Sequence, residues 1–138
     1  MKRRWVWAAV ILASMHGLVG CMRSVKVSDS DVRSLELRQL IDLLDDQQTV
    51  LIDVRPSKNF QQGSIPGAIN IPLPNLKRDD ERLAEAKQIV VYSSEPGDML
   101  GRAAAKKLMA QGYKNVYSFP GGLDQWQRQR EHVVDGTE

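Results

Sequence analysis

The stretch IVVYSSEPGDMLGRAAAKKL, residues 89–108, decides the fold. Its four leading residues are all apolar, which predicts a strand buried on both faces, and the Ala-rich half predicts a helix over about 100–111. A strand that leads through a short loop into a helix is the repeating unit of a parallel α/β sheet. The first N–H groups of such a helix have no internal partner, so this loop is a candidate cradle for an anion.

The same alternation of strand and helix continues on both sides of this unit. Gly112 follows the predicted helix and is well placed as its left-handed C-terminal cap. We therefore predict an α/β fold with a mostly parallel sheet of about five strands and helices on both faces. The further strands are predicted at residues 32–35, 49–54, 69–71 and 116–119, and the further helices at 36–46, 73–86 and 123–130.

The N-terminus has the layout of a secretory signal peptide. The basic residues of MKRR precede an apolar segment over residues 5–18, which is shorter than the roughly 20 residues that span a bilayer. LVGC, residues 18–21, resembles the lipobox of bacterial lipoproteins. That resemblance implies attachment of a diacylglyceryl group to the Cys21 sulfur as a thioether, cleavage after Gly20, and acylation of the new amino terminus with fatty acids such as palmitate. The alternative is an uncleaved anchor helix with an incidental cysteine.

Cleavage at this site divides the chain into segments with different roles. Cys21 is the only cysteine, so its conversion to a thioether leaves the mature chain with neither a free thiol nor a disulfide. The predicted segments are a signal peptide over 1–20, a lipidated tether over 21–30, a folded domain over 31–130 and a polar C-terminal tail over 131–138.

The charge of the chain argues against nucleic acid as a partner. The formal net charge is +2, and removing Lys2, Arg3 and Arg4 with the signal leaves 16 basic residues against 17 acidic ones. A domain without a basic excess lacks the electrostatic footprint of a nucleic-acid-binding protein. The mixed run KRDDER, residues 77–82, is interpreted as a solvated surface.

Three segments in this order resemble the rhodanese-like domain family. They are DVRPSKNFQQGSIPGAINIPL over residues 53–73, the strand, loop and helix around Ser93, and FPGGLDQW over residues 119–126. The resemblance implies a three-layer sandwich in which a parallel sheet of about five strands lies between helices. It also implies that the active loop lies at the carboxyl end of a central strand, where open α/β sheets bind their ligands.

Ser93 occupies the position at which active sulfurtransferases of this family carry a cysteine. That cysteine accepts sulfur as a persulfide, whereas a serine hydroxyl stays protonated at neutral pH and has no sulfur to carry. An alcohol nucleophile would need a positioned base, and the two histidines, His16 and His132, lie outside the motif region. The related phosphatases need an arginine six positions after their cysteine, where this chain has Met99. We therefore predict no catalytic residue.

The loop remains a candidate binding site. Asp98 is predicted to cap the following helix, and we expect its carboxylate to occupy the position that an anionic substrate fills in active relatives. No metal site and no cofactor are predicted. The candidate binding residues are Ser93, Ser94, Glu95, Pro96, Gly97, Asp98 and Arg102, of which Arg102 is interpreted mainly as a surface residue.

Two further positions inform the fold more than the chemistry. Asn59 stands where the family usually has an acidic residue, so Arg55 is expected to pair instead with Asp53 or with a loop carbonyl. Trp126 is expected to lie in the core or over the sheet edge.

The sequence thus predicts an exported rhodanese-like lipoprotein without sulfurtransferase activity, acting as a binding or interaction module in the cell envelope. Its partners would be the membrane lipid around the anchor and an envelope protein. It would face the periplasm, from the outer membrane in a Gram-negative cell. One alternative is a rhodanese-type sulfurtransferase, or another enzyme, with a non-standard nucleophile. Another is a structural envelope protein whose loop binds nothing.

Overall fold

Five parallel strands form one sheet at the centre of the structure. The computed structural model describes residues 26–28 and 31–129, so the predictions for the signal peptide, Cys21 and the C-terminal tail lie outside the described residues. The strands are β1 (Arg33–Ser34), β2 (Thr49–Asp53), β3 (Ile69–Asn70), β4 (Gln88–Tyr92) and β5 (Val116–Phe119). Their order across the sheet is β1-β5-β4-β2-β3, and every neighbouring pair is parallel.

Helices cover both faces of this sheet, which confirms the predicted fold class. Alternate residues of the central strands point to opposite faces, so Ile52 and Val91 pack into one hydrophobic cluster while Leu51 and Val90 pack into the other. Burial on both faces explains why the sequences of these strands are nearly continuous apolar runs. The helices are α1 (Leu37–Leu44), α2 (Ser57–Gln61), α3 (Met99–Ala110) and α4 (Gly122–Arg128).

The helix that follows the central strand closely matches its predicted bounds. Asp98 caps its first turn, and Gly112 follows its last turn with φ +99, as predicted. Gly101 is buried in its first turn, where a Cβ atom would lie 3.5 Å from Ser118 Oγ and 3.7 Å from the backbone nitrogen of Ser93. Both distances are ordinary van der Waals contacts, so the start of α3 packs closely against the ends of β4 and β5.

The prediction of one amphipathic helix over residues 73–86 is wrong. Two short 3-10 helices, Leu73–Asn75 and Glu81–Leu83, occupy the segment instead. Leu76 and Asp80 have extended backbone, with ψ 123 and ψ 120, and Asp79 adopts φ +56, so a right-handed helix cannot continue through them. Segment 73–86 is therefore an irregular connection between β3 and β4, and its Leu76 and Leu83 pack in the same hydrophobic cluster as Ile52 and Val91.

Asp80 also corrects the interpretation of KRDDER as a wholly solvated run. Its side chain is buried, and Arg82 Nη2 lies 2.7 Å from Asp80 Oδ2. The hydrogen bond from Arg82 is the main cause that holds the pKa of Asp80 below its usual value. The other five residues of the run are exposed, as predicted.

The remaining differences from prediction are small. Helix α2, a single turn between β2 and β3, was not predicted, and α4 ends at Arg128, short of the expected residue 130. Across residues 26–28 and 31–129, no helix combines the length and the apolar character needed to cross a bilayer.

Candidate functional site

Ser93 lies directly after β4, at the carboxyl end of the central strand. Strands β5 and β2 flank β4, so the residue stands at the middle of the sheet edge where parallel α/β proteins place their ligands. Only 3% of Ser93 is exposed. The loop that starts here runs to Asp98 and leads directly into α3.

The Asp98 carboxylate closes this loop from inside. Ser93 Oγ donates a hydrogen bond to Asp98 Oδ2 at 2.6 Å, and the backbone nitrogen of Leu100 donates to Oδ1 at 2.8 Å. Burial alone would raise the pKa of Asp98, but the hydrogen bonds from Ser93, Leu100 and the Ser94 N–H outweigh it and lower the pKa. The side chain is therefore a carboxylate at neutral pH, and both of its oxygens accept hydrogen bonds. The predicted role of Asp98 as a helix cap is confirmed.

The other candidate residues lie around this pair. Glu95, Pro96 and Gly97 form an exposed turn, in which Gly97 adopts φ +86 and the nitrogen of Asp98 donates to the carbonyl of Glu95. Arg102 is partly buried, one turn into α3. The structure thus brings Ser93, Ser94 and Asp98 together and leaves the turn at 95–97 on the outside.

Helix α4 holds the same loop from the opposite side. The nitrogens of Leu123 and Asp124 donate to the carbonyl oxygens of Ser93 at 3.0 Å and Ser94 at 2.9 Å. Gly122 adopts φ +60, and a Cβ atom there would lie 2.8 Å from each of these two oxygens. The sequence analysis missed this contact; the signal available for it was the pair of glycines directly before the last predicted helix.

A buried charged network lies beneath the loop. Arg55 Nη2 donates to Asp53 Oδ2 and to the carbonyl of Gly63, both at 2.6 Å, so the expected pairing of Arg55 is confirmed for both acceptors. Burial would lower the pKa of Arg55, but its hydrogen bond to Asp53 and the Asp53 charge raise it. Asp53 is completely buried and Arg55 is 6% exposed.

Tyr92 joins this network and precedes Ser93 in the chain. Its hydroxyl accepts a hydrogen bond from the nitrogen of Ile65 at 3.1 Å. Burial, followed by the negative charge of Asp53, raises the pKa of Tyr92 well above its usual value, so the hydroxyl stays neutral. Trp126, expected in the core or at the sheet edge, packs in the core with Phe119 and Leu123.

An apolar groove of about 440 Å³ lies beside the loop. Leu100 lies on one side of it and is 38% exposed, and the neighbouring Met99 is 65% exposed. The sequence analysis did not predict this groove, because three separate segments of the chain form it. Its lining residues are Val54, Pro56, Ser57, Pro72, Leu73, Pro74 and Leu100.

The geometry around Ser93 does not activate it as a nucleophile. Its hydroxyl donates to a carboxylate whose pKa is lowered, and a carboxylate of low pKa is a weak base. The chain contains histidine at positions 16 and 132 only, both outside the described residues. The arrangement is suited to holding the loop in one conformation.

Comparisons with known proteins agree with this architecture. The family model of the rhodanese-like domain matches residues 36–129. The thiosulfate sulfurtransferase GlpE of Pseudoalteromonas translucida is 29% identical over 105 residues, covering 75% of this chain and 96% of GlpE. The adenylyltransferase and sulfurtransferase UBA4 of Meyerozyma guilliermondii is 32% identical over 83 residues, covering 56% of this chain and 20% of UBA4. This chain therefore spans about a fifth of the length of UBA4.

A solved structure has a similar fold. The BH2092 protein of Bacillus halodurans superposes with a TM-score of 0.68 at 25% identity, over 74% of this chain and 76% of that one. The family match extends over more than half of the chain, and both the parallel sheet and the motif segments agree with it. The chain belongs to the rhodanese-like domain family.

Proposed function

We propose that this protein is a catalytically silent rhodanese-like module, held in the cell envelope by a lipid on Cys21. One observation carries the proposal. At the end of β4, where the family resemblance expects the sulfur-carrying cysteine, the chain has Ser93, hydrogen-bonded to Asp98 at 2.6 Å. A persulfide needs a thiolate sulfur, and acylation of Cys21 would remove the only one in the chain.

Sulfur transfer is the second candidate function, and the relatives favour it. GlpE is named a thiosulfate sulfurtransferase, and UBA4 is named an adenylyltransferase and sulfurtransferase. For this chain the reaction would need a nucleophile other than Ser93, because a serine oxygen cannot store and release sulfane sulfur. Turnover measurements separate the two candidates.

The first prediction concerns turnover. The mature protein, purified in detergent, should form no thiocyanate from thiosulfate and cyanide above the rate in buffer, because it lacks a thiolate to carry the sulfur. GlpE of Pseudoalteromonas translucida, assayed in the same detergent, serves as the positive control. Saturable thiocyanate formation, or sulfane sulfur that cyanide releases from the protein, would establish sulfur transfer and end the proposal of a silent module.

The second prediction concerns the anchor. The mature N-terminal peptide should carry the mass of acyl chains on Cys21, because LVGC completes a signal layout and two or more chains hold a protein stably at a membrane. Cys21→Ala should leave the precursor uncleaved or release the protein from the membrane fraction, and Ser24→Ala in the tether should do neither. Mature protein with an unmodified Cys21 would contradict the anchor.

An envelope protein is the partner proposed for the module. The exposed Met99 and Leu100 beside the apolar groove support a protein surface as the binding element. Capture from detergent-solubilised envelopes, with the lipidated protein as bait, tests this. Failure to recover a saturable partner would favour the structural alternative, in which the loop binds nothing.

A further inference from the structure

We infer that the Asp98 carboxylate is an autoinhibitory ligand built into the loop, which keeps external oxyanions out of it. The inference goes beyond the proposed function, because this block does not depend on the missing thiol. It would persist in a variant that carried a cysteine at position 93.

The contacts of Asp98 are those that a bound oxyanion would need. One oxygen accepts from the Ser93 hydroxyl at 2.6 Å, the other accepts from the Leu100 N–H at 2.8 Å, and the Ser94 N–H also donates to the carboxylate. The Leu100 N–H belongs to the first turn of a 12-residue helix, where the backbone dipole favours negative charge. Asp98 therefore occupies the donors and neutralises the field that would attract an anion.

An internal carboxylate also has an entropic advantage over a free anion. Asp98 is fixed by the chain five residues after Ser93, so its contact with the loop costs no translational freedom. A free oxyanion would have to displace this contact and would then lie close to the displaced charge. We therefore expect Asp98 to exclude free oxyanions that are present at millimolar concentration.

The frame of the loop is held independently of Asp98. The carbonyls of Ser93 and Ser94 accept hydrogen bonds from the first N–H groups of α4, on the side opposite the carboxylate. Replacing Asp98 with an uncharged capping residue should therefore leave the loop in place and the Leu100 N–H capped, while the Ser93 hydroxyl loses its carboxylate acceptor. The relative GlpE, which is named for thiosulfate, indicates the class of anion to test: a small divalent oxyanion.

Glu95 provides a matched control for simple electrostatics. It lies on the same loop, but its side chain is exposed, so its charge acts on the loop mainly through solvent. If the loop merely repels anions by its net charge, then Glu95→Gln and Asp98→Asn should have equal effects. If the Asp98 carboxylate occupies the anion position, only Asp98→Asn should increase the affinity for sulfate.

The experiment is isothermal titration calorimetry. Sodium sulfate is added at low ionic strength to the lipidated protein in neutral detergent, and the dissociation constant for sulfate is measured. Asp98→Asn, which keeps a capping side chain, should bind sulfate more tightly than wild type by a factor on the order of ten. Glu95→Gln should change the affinity by less than about threefold. In NMR spectra of Asp98→Asn, a shift of the Ser94 amide signal on adding sulfate would place the anion beside the contacts that the carboxylate no longer makes.

Two results would overturn the inference: equal sulfate affinity in wild type and Asp98→Asn, or equal gains in Asp98→Asn and Glu95→Gln. If Asp98→Asn does not fold, Asp98→Ser replaces it in both comparisons, because serine is also an uncharged capping residue. The wild-type thiocyanate assay does not enter these comparisons. Failure of the inference is therefore distinguishable from failure of the proposed silent module.

Discussion

Replacing Arg55 with methionine should lower the free energy of unfolding by about 3–5 kcal/mol, the range observed when one partner of a buried ion pair is removed. Asp53 is completely buried, and the substitution would leave its carboxylate without the guanidinium that binds it. The carbonyl of Gly63 would lose its 2.6 Å hydrogen bond as well. Urea denaturation at neutral pH measures the loss.

The same substitution at an exposed ion pair is the control. Arg128 Nη2 lies 3.0 Å from Asp124 Oδ2, but the Arg128 side chain is 75% exposed. Exposed pairs contribute at most about 1 kcal/mol, so Arg128→Met should have a small effect. Comparable losses in both variants would mean that burial does not set the contribution of the Arg55 pair.

Gly122→Ala should cost about 2–4 kcal/mol, the second largest effect expected. The left-handed backbone at φ +60 disfavours alanine by about 1–2 kcal/mol. The new Cβ would also lie 2.8 Å from the carbonyl oxygens of Ser93 and Ser94, which cannot retreat without losing their hydrogen bonds to α4. Chemical denaturation measures the loss, and faster hydrogen exchange at Leu123 and Asp124 would locate it.

Gly67→Ala separates the cost of the left-handed backbone from the cost of the clash with the loop carbonyls. Gly67 also has a positive φ, +78, but a Cβ atom there would meet nothing within 4 Å. It should therefore show only the backbone cost, about 1–2 kcal/mol. Equal losses of unfolding free energy in the two variants would show that the carbonyls of Ser93 and Ser94 can move away from the new Cβ without destabilising the protein. The hydrogen bonds to α4 would then not be what holds the loop.

Local signals made the fold and part of the site predictable. The apolar runs of β2 and β4 indicated a sheet buried on both faces, and Asp98 directly before an Ala-rich helix indicated its cap. Segment 73–86 was misleading because Leu76 and Leu83 are both buried, at a spacing that one helix would also produce. Each leucine instead belongs to a separate turn of an irregular connection.

Contacts between distant segments could not be predicted in this way. Tyr92 accepts from Ile65, which lies 27 positions away, and the two loop carbonyls meet α4 about thirty positions along the chain. No periodicity or short motif encodes such pairings, because they depend on how the strands are ordered in the sheet. The apolar groove was missed for the same reason.

The edge strands of the sheet have a consequence for self-association. β1 and β3 are the two outer strands, and each is only two residues long. A short edge offers few unpaired N–H and C=O groups on which a second sheet could build, and Pro72 follows β3 with no N–H to donate. The long apolar strands, which are the segments most prone to amyloid-like stacking, are enclosed between neighbours. The order of strands thus limits aggregation through the protein's own sheet, because the segments exposed at its edges are the shortest ones.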